Sequence, residues 1–179
     1  MRSWLLIALL ALATAAAALW VTGLAGLAQA WFAMQGQRAE WQDKGLWLPH
    51  YSATLHALPI EGLDDNVSGL TFSGHTGTLF TVINRPPSVA ELSPDGRVLR
   101  QLPLQGATDP EGITHVSGDR FIVADEGRDR LSWVTITPDT ASVDVTTALH
   151  LTLDFAPQDN MGFEGVSWDH TQKRLFVVK

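Results

Sequence analysis

The chain contains no cysteine, which excludes a disulfide framework and leaves an oxidising compartment neither required nor ruled out. Positive charge is also scarce. With 12 Lys and Arg against 19 Asp and Glu, the net charge is −7, and no basic cluster exists to follow a phosphate backbone, which argues against nucleic acid as a partner. Most of these carboxylates are expected to do no more than keep a surface soluble. No nucleophile elbow, phosphate-binding loop or EF-hand loop occurs. The histidines His50, His56, His75, His115, His150 and His170 never fall at zinc-ligand spacing, and most sit near turns, which predicts solvated roles for them.

Charge is absent altogether between Arg2 and Arg38, and Trp4 to Leu27 is almost wholly Leu, Ala, Ile, Val and Trp. About 20 apolar residues suffice to cross a bilayer as a helix. Two readings fit this segment. As a cleaved signal it has the small-residue site Ala28-Gln29-Ala30. As an uncleaved signal anchor it has a longer run than a signal core needs, with Trp31 and Phe32 where an interfacial aromatic belt sits. Either way the body is exported. Arg2 on one flank against the nearly balanced Arg38, Glu40, Asp43 and Lys44 on the other predicts a single-pass protein of the inner (plasma) membrane with a periplasmic body. The organisation expected is a transmembrane anchor over 1–30, a juxtamembrane helix or stalk over 31–48, in which Trp41 and Trp47 lie on the membrane or on the body, and an all-β domain over 49–179.

The body carries a repeat. Ser68-Gly69-Leu70, Glu111-Gly112-Ile113 and Glu164-Gly165-Val166 are each followed, about nine or ten residues on, by an apolar β-rich run: Leu79–Val82, Phe121–Ala124 and Leu175–Val178. Turn signals separate the strands: Ser73–Gly77, Ser93-Pro94-Asp95-Gly96, Ser117-Gly118-Asp119, Thr137–Thr140 and Asp169–Gln172. A unit recurring every ~45 residues is the size of a β-propeller blade, a four-stranded sheet stacked on its neighbours around a channel. The spacing predicts two complete blades, the second ending in a strand over 142–146, and a third beginning at Phe163. An N-terminal strand over 52–58 is expected to pair with a closing blade. Two and a half blades are expected to be a fragment of a longer protein, or else to close a ring with further copies.

The repeat nominates a site. Ser68, Glu111 and Glu164 occupy equivalent positions at the start of innermost strands, which line a propeller channel, and Asn66 and Asp109 precede two of them by two residues. Glu126 follows the apolar strand of the second blade, and Asn84 holds the matching position in the first. Hard cations such as Ca²⁺ take six to eight oxygens from carboxylates, amides, carbonyls and water. Asp109, Glu111, Glu126 and Glu164 are therefore candidate metal ligands, with Asn66, Ser68 and Asn84 as further ligand-binding positions. The competing reading is that each Glu accepts hydrogen bonds from the neighbouring blade and only closes the repeat. The run Asp125–Arg130 reads as a solvated, partly paired loop.

The segments Asp65–Thr71, Asp109–Ile113 and Asn160–Asp169, with Leu92–Gly96 and Asp125-Glu126 between them, resemble the SdiA-regulated family of bacterial envelope proteins from about residue 50 onward. The resemblance implies a six-bladed propeller behind a membrane anchor, related in architecture to phytase-like and NHL-type propellers, with no assigned activity. The family pattern runs on for about as long again, so sites built from later blades lie outside this sequence. Three functions remain open at this point. One is an anchored propeller that binds a small molecule or protein, with Ca²⁺ in its channel. Another is a metal-dependent hydrolase of phosphoesters or lactones. The third is a purely structural envelope protein.

Overall fold

The computed structural model describes residues 2–21, 23–41, 51–54, 56–57, 59–63, 65–153 and 164–178. The chain divides into two compact units, 1–54 and 55–179. In the first, the Leu- and Ala-rich helix α1 (Arg2–Val21) is followed by α2 (Leu24–Trp41). Leu and Ala are the strongest helix formers, so α1 needs no packing partner to explain its form. Gly23 adopts φ +69° and its carbonyl accepts the N–H groups of Gly26 and Leu27, which stops one helix and caps the next. The apolar run from Trp4 to Leu27 is therefore not one helix, and the helical boundary falls at Gly23 rather than near residue 30. Among the described residues no helix is long and apolar enough to cross a membrane; in α1 the described side chains run from Trp4 to Ala18 and all are exposed. The stalk beyond Trp41, with Trp47, lies outside the described residues, as does the expected start of the third repeat at Phe163. The described residues of 52–58 form no strand, and Ala57 stands at φ +50°, incompatible with an extended chain.

The second unit is all-β. Strands β1 (Val67–Ser73), β2 (Thr78–Asn84), β3 (Pro87–Leu92) and β4 (Val98–Gln105) form an antiparallel meander. A second meander consists of β5 (Pro110–Ser117), β6 (Arg120–Asp125) and β7 (Arg130–Thr135). Two short strands follow, β8 (Val143–Asp144) and β9 (His150–Thr152), and then the hairpin β10 (Gly165–Asp169) and β11 (Arg174–Val178). The fourth strand of the second sheet is β9, paired Ser132 with His150, and not residues 142–146. That expected strand instead runs parallel to β4 of the first sheet, Leu104 against Val143. Its alternation explains the exchange: Val143 and Val145 are buried between the sheets, while Asp144 points outward with its carboxyl held below the usual aspartate range, chiefly by the Thr146 hydroxyl.

The sheets stack face to face in a propeller-like manner, and the described strands close no barrel. Along β6, Phe121 and Val123 enter a core shared with Phe80, Val82, Leu102 and Leu104 of the first sheet. Ile122 and Ala124 face Val166, Leu175 and Val177 of the third. A strand sandwiched between two sheets must be apolar on both sides, which is why Phe121–Ala124 is a continuous run rather than an alternating one. Arg100 fastens the outer edge: its guanidinium bonds the buried Glu91 carboxylate at 2.6 Å and the carbonyls of Thr137, Pro138 and Thr140.

The innermost strands β1, β5 and β10 are neighbours, and the repeated glycines set their approach. A Cβ on Gly69 would lie 2.9 Å from Gly112 Cα and 3.1 Å from the Ile113 nitrogen, and one on Gly112 would lie 3.0 Å from Val166 Cγ1 and 3.2 Å from its nitrogen. Two residues after each glycine a hydroxyl completes the joint. Thr71 Oγ1 accepts the N–H of His115 at 3.1 Å, and Thr114 Oγ1 accepts that of Trp168 at 3.0 Å. Gly69 also stands at φ +58°, so Gly69→Ala adds both a backbone clash and backbone strain. It is expected to lower the unfolding free energy by about 3 kcal/mol, whereas Gly74→Ala, with nothing within 4 Å among the described residues, leaves it within about 0.5 kcal/mol. Denaturant midpoints of the full chain in detergent measure both.

Candidate functional site

The repeat builds one end of the sheets by the same backbone bonds in the first and second sheets. Asn84 N–H donates to the Asn66 carbonyl at 3.1 Å, and Glu126 N–H donates to the Asp109 carbonyl at 2.8 Å. The residue before each innermost strand is thus tied to the end of the second strand. Asn66 meets this demand at φ +57°, its N–H turned onto Asp65 Oδ1, a conformation Asn tolerates better than most residues. In the second sheet a buried carboxylate fixes the segment: Asp125 accepts the N–H groups of Thr108 at 3.0 Å and Asp109 at 2.8 Å. Gly127, in the short 3₁₀ helix Glu126–Arg128, lets that turn close on Thr108 and Asp109, where a Cβ would meet their side chains at 3.0 and 3.3 Å. A register shift between Pro110 and Gly112 leaves Glu111 as the extra residue of a bulge, a device that re-aims a side chain.

The outcome is a group of three half-buried carboxylates, Asp109, Glu111 and Glu126, whose ligand oxygens lie within 4.8 Å of one another. Asn84 reaches across from the first sheet, its Nδ2 donating to Glu111 Oε1 at 2.9 Å. Its Oδ1 is buried and has no hydrogen-bond partner among the described residues. Two unit negative charges at that separation repel by about 3 kcal/mol at an effective dielectric constant near 20. Among the described residues no salt bridge reaches Asp109 or Glu111; the neighbouring Arg128 lies on Asp125 and Thr108.

Of the positions expected from the sequence, the structure therefore brings together Asp109, Glu111, Glu126 and Asn84. It leaves Glu164 outside: that residue is exposed and its N–H bonds Val178. Ser68 and Asn66 participate through their carbonyls, which accept Thr81 Oγ1 and Asn84 N–H. Glu164 precedes a strand of the third sheet, whereas the three acids come from one strand end of the second sheet and the turn beside it. Two expectations are corrected. His115 is buried, not solvated, with its Nε2 2.9 Å from the Gly118 carbonyl and its ring 5.7 Å from that of His170. The run from Asp125 to Arg130 is not simply a solvated loop, because Asp125 is 2% exposed. The role of Asp125 carried no signal in the sequence, since its partners are backbone amides 16 and 17 residues away.

The pattern of the SdiA-regulated family matches residues 43–179. The chain belongs to the SdiA-regulated family. Among solved structures, this SdiA-regulated chain is similar to a catalytically inactive virginiamycin B lyase from Staphylococcus aureus, with quinupristin. The two share 16% identity over 68% of this chain and 36% of that one, with a TM-score of 0.46. A proposed 6-phosphogluconolactonase from Bacteroides uniformis shares 14% identity over 69% of this chain and 38% of that chain, with a TM-score of 0.47. A streptogramin B lyase shares 12% over 66% and 50%, at 0.39. The chain spans between a third and a half of the length of these proteins, and TM-scores below 0.5 carry nothing about its activity.

Asp125→Asn keeps one acceptor for two amides. The amide left without a partner is expected to exchange its hydrogen about tenfold faster or more, at Thr108 or Asp109, corresponding to about 1–3 kcal/mol. Amide exchange resolved to those residues is the measurement.

Proposed function

We propose that this SdiA-regulated protein is an anchored envelope protein whose six-bladed propeller binds a ligand or partner, with a Ca²⁺ ion held where the first two sheets meet. The observation that carries the cation is the buried Asn84 Oδ1, which has no hydrogen-bond partner among the described residues, beside the clustered oxygens of Asp109, Glu111 and Glu126. Among the described residues this amide oxygen meets no donor and Asp109 and Glu111 meet no salt bridge, and oxygens of this kind make the donor set of a hard cation, which takes six to eight of them. Asp109, Glu111 and Glu126 would hold it, Asn84 would complete the protein's share, and the remaining positions would fall to water or to an oxygen of the bound molecule. When bound, the ion supplies charge neutralisation and a Lewis-acidic contact for such an oxygen. This chain's own residues do the rest. Asp125 and Gly127 fix Asp109 and Glu126 in place, and the Asn84 amide orients Glu111.

The anchoring part of the proposal rests on the uncharged stretch between Arg2 and Arg38, with the N-terminus in the cytoplasm and the body in the periplasm. A second reading has its own observation. The Asn84–Glu111 bond joins two sheets directly, as a purely structural stitch would. Hydrolysis of phosphoesters or lactones has no separate observation in its favour.

Thermal unfolding of the full chain in detergent separates the two readings. Free Ca²⁺ at 100 times its dissociation constant is expected to stabilise by about 2.7 kcal/mol, a rise of about 5–10 °C in Tm, and Glu111→Gln to abolish that rise. The stitch reading predicts no calcium response in either protein, because the amide oxygen introduced by Glu111→Gln still accepts from Asn84. An equal rise in both would contradict the site.

A further inference from the structure

Two orphaned polar groups of opposite character belong to the end of the sheets that carries the acids. Among the described residues, Asn84 Oδ1 is a buried acceptor without a donor, and Arg130 Nε is a buried donor without an acceptor. A buried polar group left unpaired is costly, and each such atom calls for a partner. The acceptor finds one in the cation of the reading above, on which this inference rests. The donor calls for an anion. Strand register sets Arg130 directly opposite Asp125, so the two share a face of the second sheet, and Asp125 is the carboxylate that holds the Asp109 N–H.

A second guanidinium stands beside the same carboxylate. Arg128 Nε donates to Thr108 Oγ1 at 2.8 Å and lies 3.8 Å from Asp125 Oδ2. Thr108 precedes Asp109, and Arg128 ends the 3₁₀ helix that Glu126 begins, so this guanidinium is fixed beside the acid cluster by its inner nitrogen. Its two terminal nitrogens make no hydrogen bond among the described residues. Charge decides what class of molecule such a place takes. Three carboxylates exceed a divalent ion by one negative charge, so the loaded cluster by itself repels an anion. The guanidinium groups of Arg128 and Arg130 reverse that balance, and they offer planar N–H donors that match an oxyanion rather than a neutral hydroxyl.

We propose that the molecule bound at this site is a small oxyanion, with one oxygen of a phosphorus-based or carboxylate group on the cation and another accepting from the terminal nitrogens of Arg128. Arg130 adds its charge from the neighbouring strand. Without the ion the carboxylates of Asp109, Glu111 and Glu126 repel the same molecule, so its binding requires calcium. The coupling is reciprocal: the anion raises the affinity for calcium by the factor by which calcium raises the affinity for the anion.

Titration calorimetry of the full chain in detergent, with methylphosphonate and acetate as probes, tests this, because the calcium salts of both are soluble. Calcium-saturated protein is expected to bind one or both probes about tenfold tighter or more than protein dialysed free of calcium. The probe that binds better tells a phosphorus oxyanion from a carboxylate. Arg128→Gln is expected to lower that affinity about tenfold or more, as loss of a charge-assisted hydrogen bond implies. It is expected to keep the calcium-induced rise in Tm, since it removes a positive charge from beside the ion. Arg128→Lys, which keeps the charge and loses the fork, is expected to fall between the two. Arg97→Gln, whose guanidinium bonds Asp95 on the turn between β3 and β4, is expected to change neither. A calcium-induced rise in Tm with neither probe bound at about 10 mM overturns the inference and leaves the cation site standing. So does a probe bound equally without calcium, or equally by the Arg128→Gln protein. Absence of the calcium-induced rise itself overturns both.

Discussion

The close approach of backbone to backbone at Gly69 and Gly112 is the constraint on which the all-β unit depends. A sheet with apolar side chains on both faces must be covered on both, and here each cover is another sheet. The innermost strands can run side by side only where no Cβ intervenes. Glycine provides the space, and the threonine two residues later provides the acceptor for an N–H that would otherwise be buried without a partner. The apolar cores on either side of β6 follow from that spacing. So does the reach of Asn84 to Glu111, which is possible only because the first two sheets are held this closely.

The repeat was legible because it recurs in register: Gly69, Gly112 and Gly165 mark innermost strands, and the runs after them are second strands. The four strands of the first meander and the first three of the second sheet follow from the sequence alone. What was not legible lay in long-range choices between similar segments. Val143-Asp144-Val145 and His150-Leu151-Thr152 both alternate enough to be a fourth strand. The selection between them is made by the buried slot along Leu104, and by Gly106, whose missing Cβ leaves room for Thr146. The hydroxyls of Thr71 and Thr114 were readable in principle, because they recur at the same offset from each glycine, but hydroxyl residues are too common in strands to attract notice singly.

The site was partly legible for the same reason. Equivalent backbone bonds at Asn66–Asn84 and Asp109–Glu126 show that the first two sheets share one framework at this end. The first sheet carries amides there and the second carries acids, so charge accumulates on one side of the joint and the amide that faces it comes from the other. The equivalence of Glu164 to Glu111 predicts that it joins them. Equivalence in a stacked repeat puts residues on different sheets, however, and only local neighbours and one long Asn side chain converge. Asp125 stayed hidden because it acts on backbone amides, which leave no pattern in a sequence.

The central claim is that these carboxylates and the Asn84 amide form one cation site at the joint of the first two sheets. Equilibrium dialysis of the full chain against radiolabelled calcium tests it most directly, with Asn84→Leu as the comparison, because that change removes an oxygen from the first sheet without altering any acid. The account predicts one calcium bound per chain and a loss of affinity of about tenfold or more in the variant, as removal of a ligand oxygen implies. Calcium bound equally well by both proteins, or by neither, would contradict it.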